Sequence, residues 1–160
     1  MDAKSESEFD PFTPANDSNA PELRLVPSNG QTGFVVDVAQ TPVEGGTDPT
    51  YGEVTWRTLI CADKTPTREF VLGVADFKPG EKLHPHRHEP AEFYYCTSGT
   101  GKVTIEGVVH NVHQGIAVYV PTNATHSVIA GPNGLSFLYG FAEARFGAID
   151  YQFSNNYKLL

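Results

Sequence analysis

"LHPHRHEPAEFYYCTSG", residues 83–99, carries three histidines at alternate positions, His84, His86 and His88, then Glu92 and an aromatic run that closes on Gly99. On an extended chain, residues i and i+2 face the same side, about 6.5–7 Å apart. The three imidazoles therefore share one face, while Arg87 takes the other. Two imidazoles at that separation can close on one ion through metal–nitrogen bonds of about 2.0–2.2 Å. "EPA" (89–91) turns the chain, and Glu92 opens the next strand, where its carboxylate can come back beside the pair. Alternation then puts Glu92, Tyr94 and Cys96 on one face and Phe93 and Tyr95 on the other.

The same short-strand rhythm extends in both directions. "GFVVDVAQ" (33–40), "EVTWRTLICA" (53–62) and "REFVLGVADF" (68–77) precede the histidines; "TPVEGGTDPTYG" (41–52) reads as a loop and "KPGEK" (78–82) as a turn. After them come "EFYYCTS" (92–98), "GKVTIEG" (101–107), "GIAVYVP" (115–121), "THSVIAG" (125–131) and "LSFLYGFAEA" (135–144), divided by Gly and Pro. No stretch between 23 and 144 keeps a helical period; only "AEARFGAI" (142–149) reads as a short helical turn. Many short strands with tight turns predict an all-β sandwich or small antiparallel barrel.

Residues 1–22, with Pro11, Pro14 and Pro21 among Ser, Asn, Asp and Glu, read as a disordered tail. The remainder, 23–160, reads as a single domain, as the 160-residue length suggests. The net charge of −8, with basic residues scattered, excludes nucleic acid as a partner. No apolar run reaches the 18 or more residues of a membrane span, and the acidic N-terminus lacks a secretory or mitochondrial signal, so the expected location is cytoplasmic. Cys61 and Cys96 each lie in an apolar strand and read as free, buried thiols.

Two motifs carry a family resemblance. Gly80, His86, Arg87, His88, Glu92 and Gly99 resemble the first signature of the cupin superfamily in every spacing. Gly115, Pro121, Asn123 and His126 resemble its second. Asn123 stands where the family usually has Gly and Ala130 where it often has Asn, neither at a ligand position. Asn tolerates positive φ, so the turn is expected to survive. The resemblance covers about residues 50–145. It implies a small antiparallel β-barrel, or jelly roll, in which His86, His88, Glu92 and His126 hold one divalent transition metal. Such a mixed nitrogen and oxygen set accepts Fe, Mn, Ni, Co or Zn, with Fe expected first.

Other residues are candidates for the pocket. His84 and Tyr94 are candidate acid–base groups beside the metal. His84 also reads as a strand-end residue at the surface, and Tyr94 as a packed core aromatic. Arg57 is a candidate clamp for a substrate carboxylate, though it and Trp56 must point opposite ways, so only one lines the barrel. Tyr139 and Phe141 share a face and are candidate pocket walls. His110 and His113 read as exposed residues in or beside a turn.

The resemblance implies a metal-dependent enzyme acting on a small molecule. The first reading is an Fe(II)-type oxygenase that binds a substrate through an oxygen pair. The alternative is a non-redox lyase, isomerase or cyclase using Tyr94 or His84 as base; Glu92 followed by Tyr94 resembles the arrangement in cupin dimethylsulfoniopropionate lyases. A second alternative is a non-enzymatic ligand-binding cupin. Apolar Phe93 and Tyr95 on the outer face, with the strand near 33–39, predict a homodimer.

Overall fold

The alternation that predicts strands places eleven of them in a computed structural model, which describes residues 24–28 and 31–154. The strands are β1 (Arg24–Ser28), β2 (Gln31–Val35), β3 (Glu44–Asp48), β4 (Gly52–Ile60), β5 (Val71–Phe77), β6 (Lys82–Arg87), β7 (Glu92–Ile105), β8 (Val108–His113), β9 (Ala117–Val120), β10 (His126–Phe141) and β11 (Gln152–Phe153). Short 3-10 turns cover Val38–Gln40 and Phe146–Ala148, the second inside the expected helical turn. The tail expected to be disordered, 1–22, lies outside the described residues.

β1 and β2 form a hairpin of their own. The other nine strands make one antiparallel sheet in the order β11-β6-β4-β5-β10-β7-β8, with β3 on β4 and β9 on β7. An added pairing of β6 with β10 closes the sheet into a barrel, with His126 directly opposite His86. β10 accomplishes this by serving different partners along its length. Its first residues pair with β6 and β7, and its last pair with β5 and β7.

The inward positions make the core. β5 alternates buried and half-buried from Val71 to Phe77 without a break. Val71, Val103, Val120, Val128 and Cys96 are fully buried. Each such Val contributes about 1.5–3 kcal/mol of burial, which is what sets the strand phase. Both cysteines are free and buried, as expected.

Several strand boundaries differ from the sequence reading, among them the strand expected at 33–40, which ends at Val35 and gives way to the 3-10 turn at Val38–Gln40. The 41–52 loop contains β3, whose glycines Gly45 and Gly46 take positive φ and still pair with β4. The strands expected at 92–98 and 101–107 are one strand, β7. Gly99, at φ 76°, bends β7 where a Cβ would strike the Gly134 carbonyl of β10. The strands at 125–131 and 135–144 likewise join as β10. His110 and His113 lie on β8 rather than in a turn, though both are exposed. Asn123 takes φ 59°, the conformation its substitution for Gly requires.

Candidate metal centre

β6, β7 and β10 bring one end of the barrel together around four side chains. His86 comes from β6, His88 from just beyond it, Glu92 opens β7 and His126 opens β10. All four are buried, Glu92 the most exposed at 6%. Their ligand atoms lie within 4.8 Å of one another.

Backbone carbonyls fix how the imidazoles point. His86 Nδ1 donates to His84 O, His88 Nδ1 to Pro90 O and His126 Nδ1 to Ala124 O, each at 2.8 Å. A carbonyl only accepts, so Nδ1 carries the proton in each ring and Nε2 of the neutral ring carries a lone pair. His88 Nε2 and His126 Nε2 nevertheless stand 3.2 and 3.1 Å from the same oxygen, Glu92 Oε2. Lone pairs converging on a carboxylate repel unless a cation stands among them. The donor set therefore fits a divalent transition metal, with the carbonyl contacts acting as the outer support such ligands need.

The local charges agree. Burial holds the His86 imidazole down to about 3, helped by repulsion from His126. Burial by itself would push the Glu92 carboxyl up, but without a metal a proton on Nε2 of His126 and His88 stands where the cation would, and the resulting hydrogen bonds outweigh burial and hold the carboxyl at about 2. An unprotonated imidazole and an ionised carboxylate are the forms that bind metal.

A cavity of about 310 Å³ opens beside the cluster. His86 and Glu92 line it, whereas His88 and His126 stand behind them. Its remaining walls are mostly rings: Tyr51, Trp56, Tyr94, Phe137, Tyr139, Phe146, Tyr151 and Phe153. Among the described residues Glu92 is its one carboxylate, and no Lys or Arg lines it. Tyr94 Oη donates to Glu92 Oε2 at 2.9 Å, and its ring lies 4.3 Å from Phe137. Burial, then the Glu92 charge, pushes the Tyr94 phenol well above its usual range.

The other expected pocket residues divide. Tyr139 lines the cavity, its hydroxyl 3.1 Å from Thr58 Oγ1. Phe141 is buried behind the cluster, edge-on to His88 at 5.1 Å, and is not a cavity wall. His84 is not a wall either: its ring lies against Gly52, with Nδ1 3.1 Å from Thr50 O. Arg57 points outward and pairs with Asp76 at 3.3 Å, because the phase of β4 turns Trp56 inward instead. A carboxylate clamp by Arg57 and a base role for His84 therefore have no geometric support. Sequence reasoning missed Tyr51 and the whole C-terminal wall, Phe146, Ile149, Tyr151 and Phe153. The brief "YQF" at 151–153 offers no periodicity that could have found it.

Comparison with known proteins adds three findings. Residues 73–137 match the cupin domain family model. The chain is 49% identical over 144 residues to the dimethylsulfoniopropionate lyase DddW of Ruegeria pomeroyi, covering 86% of this chain and 95% of that one. Among solved structures, the polyketide cyclase RemF of Streptomyces resistomycificus superposes with a TM-score of 0.65 at 23% identity, over 78% of this chain and 87% of that one. A structure described among the DMSP lyases RdDddP and RnDddQII gives 0.56 at 22% identity, over 64% and 53%. At such identities these two structures speak for the fold alone.

Proposed function

The chain belongs to the cupin superfamily, and we propose that it is a metal-dependent lyase that splits dimethylsulfoniopropionate by β-elimination. The observation that carries this is the 49% identity to DddW across nearly the whole of both chains. It favours the elimination reading over the oxygenase that the sequence placed first.

The cavity suits such a substrate at both ends. Dimethylsulfoniopropionate is a zwitterion, with a carboxylate at one end and a sulfonium cation at the other. Among the described residues no basic side chain lines the cavity to receive the carboxylate, which leaves the metal cluster at His86 and Glu92 as its counter-charge. His86, His88, Glu92 and His126 would hold a divalent metal, with Fe first among the candidates, which would supply positive charge to offset the substrate carboxylate and a phenolate at Tyr94. The ring walls suit the sulfonium. Trp56, edge-to-face with Tyr51 at 5.8 Å and 6.3 Å from Phe146, offers aromatic faces to a cation.

The chemistry needs one proton acceptor and no oxidant. The Tyr94 phenol would first lose its own proton to solvent beside the bound metal, and the phenolate Oη then takes the proton from the carbon next to the carboxylate. The C–H electron pair becomes the Cα=Cβ double bond, the Cβ–S bond breaks toward sulfur, and acrylate and dimethyl sulfide result. Before that proton leaves, Glu92 holds the Tyr94 oxygen in place by accepting from it at 2.9 Å. Tyr139, anchored on Thr58, walls the substrate. The apolar rings exclude water, which protects the reacting charges from screening. The test is to incubate the metal-loaded protein with dimethylsulfoniopropionate and measure both products, in parallel with Tyr94→Phe.

A homodimer is part of the same proposal. Phe93, Tyr95 and Tyr119 stand 44%, 46% and 67% exposed on the outer face of β7 and β9, beside half-buried Leu138 of β10. An apolar face of that breadth suits a second copy. Light scattering that gives the mass of a single 17.4 kDa chain would rule the pairing out.

A further inference from the structure

The reacting groups are nearly sealed from solvent: His86 and Tyr94 are 1% exposed and Glu92 6%. Most walls around them are barrel strands held by full hydrogen-bond ladders. One wall is different. Residues 142–154 leave the end of β10, cross the cavity and end on β6, contributing Phe146, Ile149, Tyr151 and Phe153 to the lining.

Among the described residues this segment has few strand pairings and is held largely by the packing of its rings. At its far end, β11 is two residues long and pairs with β6, Arg87 Nε donates to Gln152 Oε1 at 3.0 Å, and Ser154 N donates to Pro85 O at 3.1 Å. At its near end the attachment is a turn outside the cavity. Asp63 accepts from Gly147 N at 3.0 Å and from Arg145 Nη1 at 3.2 Å, one on each carboxylate oxygen. Ala62 N donates to Ala144 O beside it at 2.7 Å. The turn carrying Asp63 is itself rigid, since Thr65 Oγ1 donates to Cys61 O at 2.8 Å and accepts from Cys61 N at 3.0 Å. Asp63 thus ties a mobile-sized segment to a fixed point with both of its oxygens. Asp63 does not itself line the cavity, whereas Gly147, which it holds, does.

We infer that residues 142–154 are a strap that lifts to pass substrate and product, and that Asp63 is the positioning residue that latches it shut. The inference rests on the proposed function only in requiring that a small molecule reach the cavity. Opening removes Phe146, Tyr151 and Phe153 together, three of the eight wall rings, while leaving the barrel intact. Loss of the latch shifts the balance toward the open strap. Substrate then binds more weakly, while Tyr94 and Glu92 keep their places on the barrel strand.

Trp56 makes the strap visible. It is the chain's single tryptophan, and its ring packs 6.3 Å from Phe146 of the strap. The first test is iodide quenching of its fluorescence in the full-length protein and in Asp63→Asn. The expected result is several-fold stronger quenching in the variant, with KM raised and kcat not lowered. Unchanged quenching would overturn the latch, and so would a fall in kcat at constant KM.

The second test is the pair Asp63→Cys with Gly147→Cys, where a Cβ on Gly147 would lie 3.6 Å from the present Asp63 carboxylate. Native Cys61 and Cys96 are buried, so the new pair is the accessible one to oxidise. Oxidation, verified by mass, is expected to abolish turnover and reduce iodide quenching, and reductant to restore both. Full turnover in the oxidised protein would overturn the strap as the entry path. If the unmodified protein has no lyase activity, the proposed function fails, and the quenching difference between oxidised and reduced forms still decides the strap.

Discussion

Tyr94 Oη donates to Glu92 Oε2 at 2.9 Å, from the next inward position of the same strand, so one strand supplies both a candidate metal ligand and the proposed proton acceptor. The i, i+2 repeat of β7 fixes their separation, and Phe137 under the Tyr94 ring fixes its angle. Tyr94→Phe keeps that packing and removes only the oxygen. Its expected effect is a fall in kcat of roughly 10²–10⁴-fold, the range of a lost acid–base group. Metal content should stay at the unsubstituted level, as read by elemental analysis. A variant that kept most of its kcat would remove Tyr94 from the reaction.

His86→Ala and Glu92→Ala delete one ligand each from a cluster whose members all lie within 4.8 Å. Both are expected to lose bound metal and activity together, with circular dichroism still reporting the β-fold. Retention of one metal per chain in either variant would place the metal elsewhere.

The metal-free protein should weaken as the solution is acidified, and both shifted groups act in the same direction. His86 titrates near 6.5 when unfolded and near 3 when folded, so protons favour the unfolded chain throughout that window. Glu92, near 4.5 unfolded and about 2 folded, adds to the loss below its unfolded value. The slope from His86 alone approaches about 1.4 kcal/mol per pH unit inside its window. Urea midpoints of the metal-free protein between pH 7 and pH 4 check this, with a steady decline expected. Added metal should raise the midpoint, because it binds the deprotonated ligands of the folded state.

Trp56 faces the cavity where the proposed sulfonium lies. A cation on an aromatic face gains about 0.5–2 kcal/mol, so Trp56→Leu should raise KM by roughly 2- to 30-fold. The carbon analogue 4-methylpentanoate has the same shape without the positive charge. It should bind more weakly than the sulfonium in the native protein, and the gap should narrow in Trp56→Leu. Equal inhibition constants in the native protein would show that the rings recognise shape alone.

The residues explain how much of this could be read in advance. The alternation at 84–88 and the return at Glu92 were legible because the period of a strand is two, and a buried face enforces its phase. His126 became legible only through the second motif's resemblance, since nothing local says that β10 lies opposite β6. Arg57 shows the limit. Alternation says that Arg57 and Trp56 point opposite ways, but not which is inside; the packing of Trp56 against Tyr51 and Phe146 decides it. His84 shares the nominal face of His86, yet it sits at the strand's open end and turns to Thr50 and Gly52. The C-terminal wall was invisible because Phe146, Tyr151 and Phe153 act through their position over the barrel mouth, with only two residues of strand to announce it.

The most direct test of the account is headspace measurement of dimethyl sulfide from protein loaded separately with Fe(II), Mn(II) and Zn(II) and given dimethylsulfoniopropionate under nitrogen. The account predicts dimethyl sulfide and acrylate in equal amounts, no dependence on oxygen, and loss of both products in Tyr94→Phe. No dimethyl sulfide with any metal, or release only when oxygen is admitted and consumed, would contradict it.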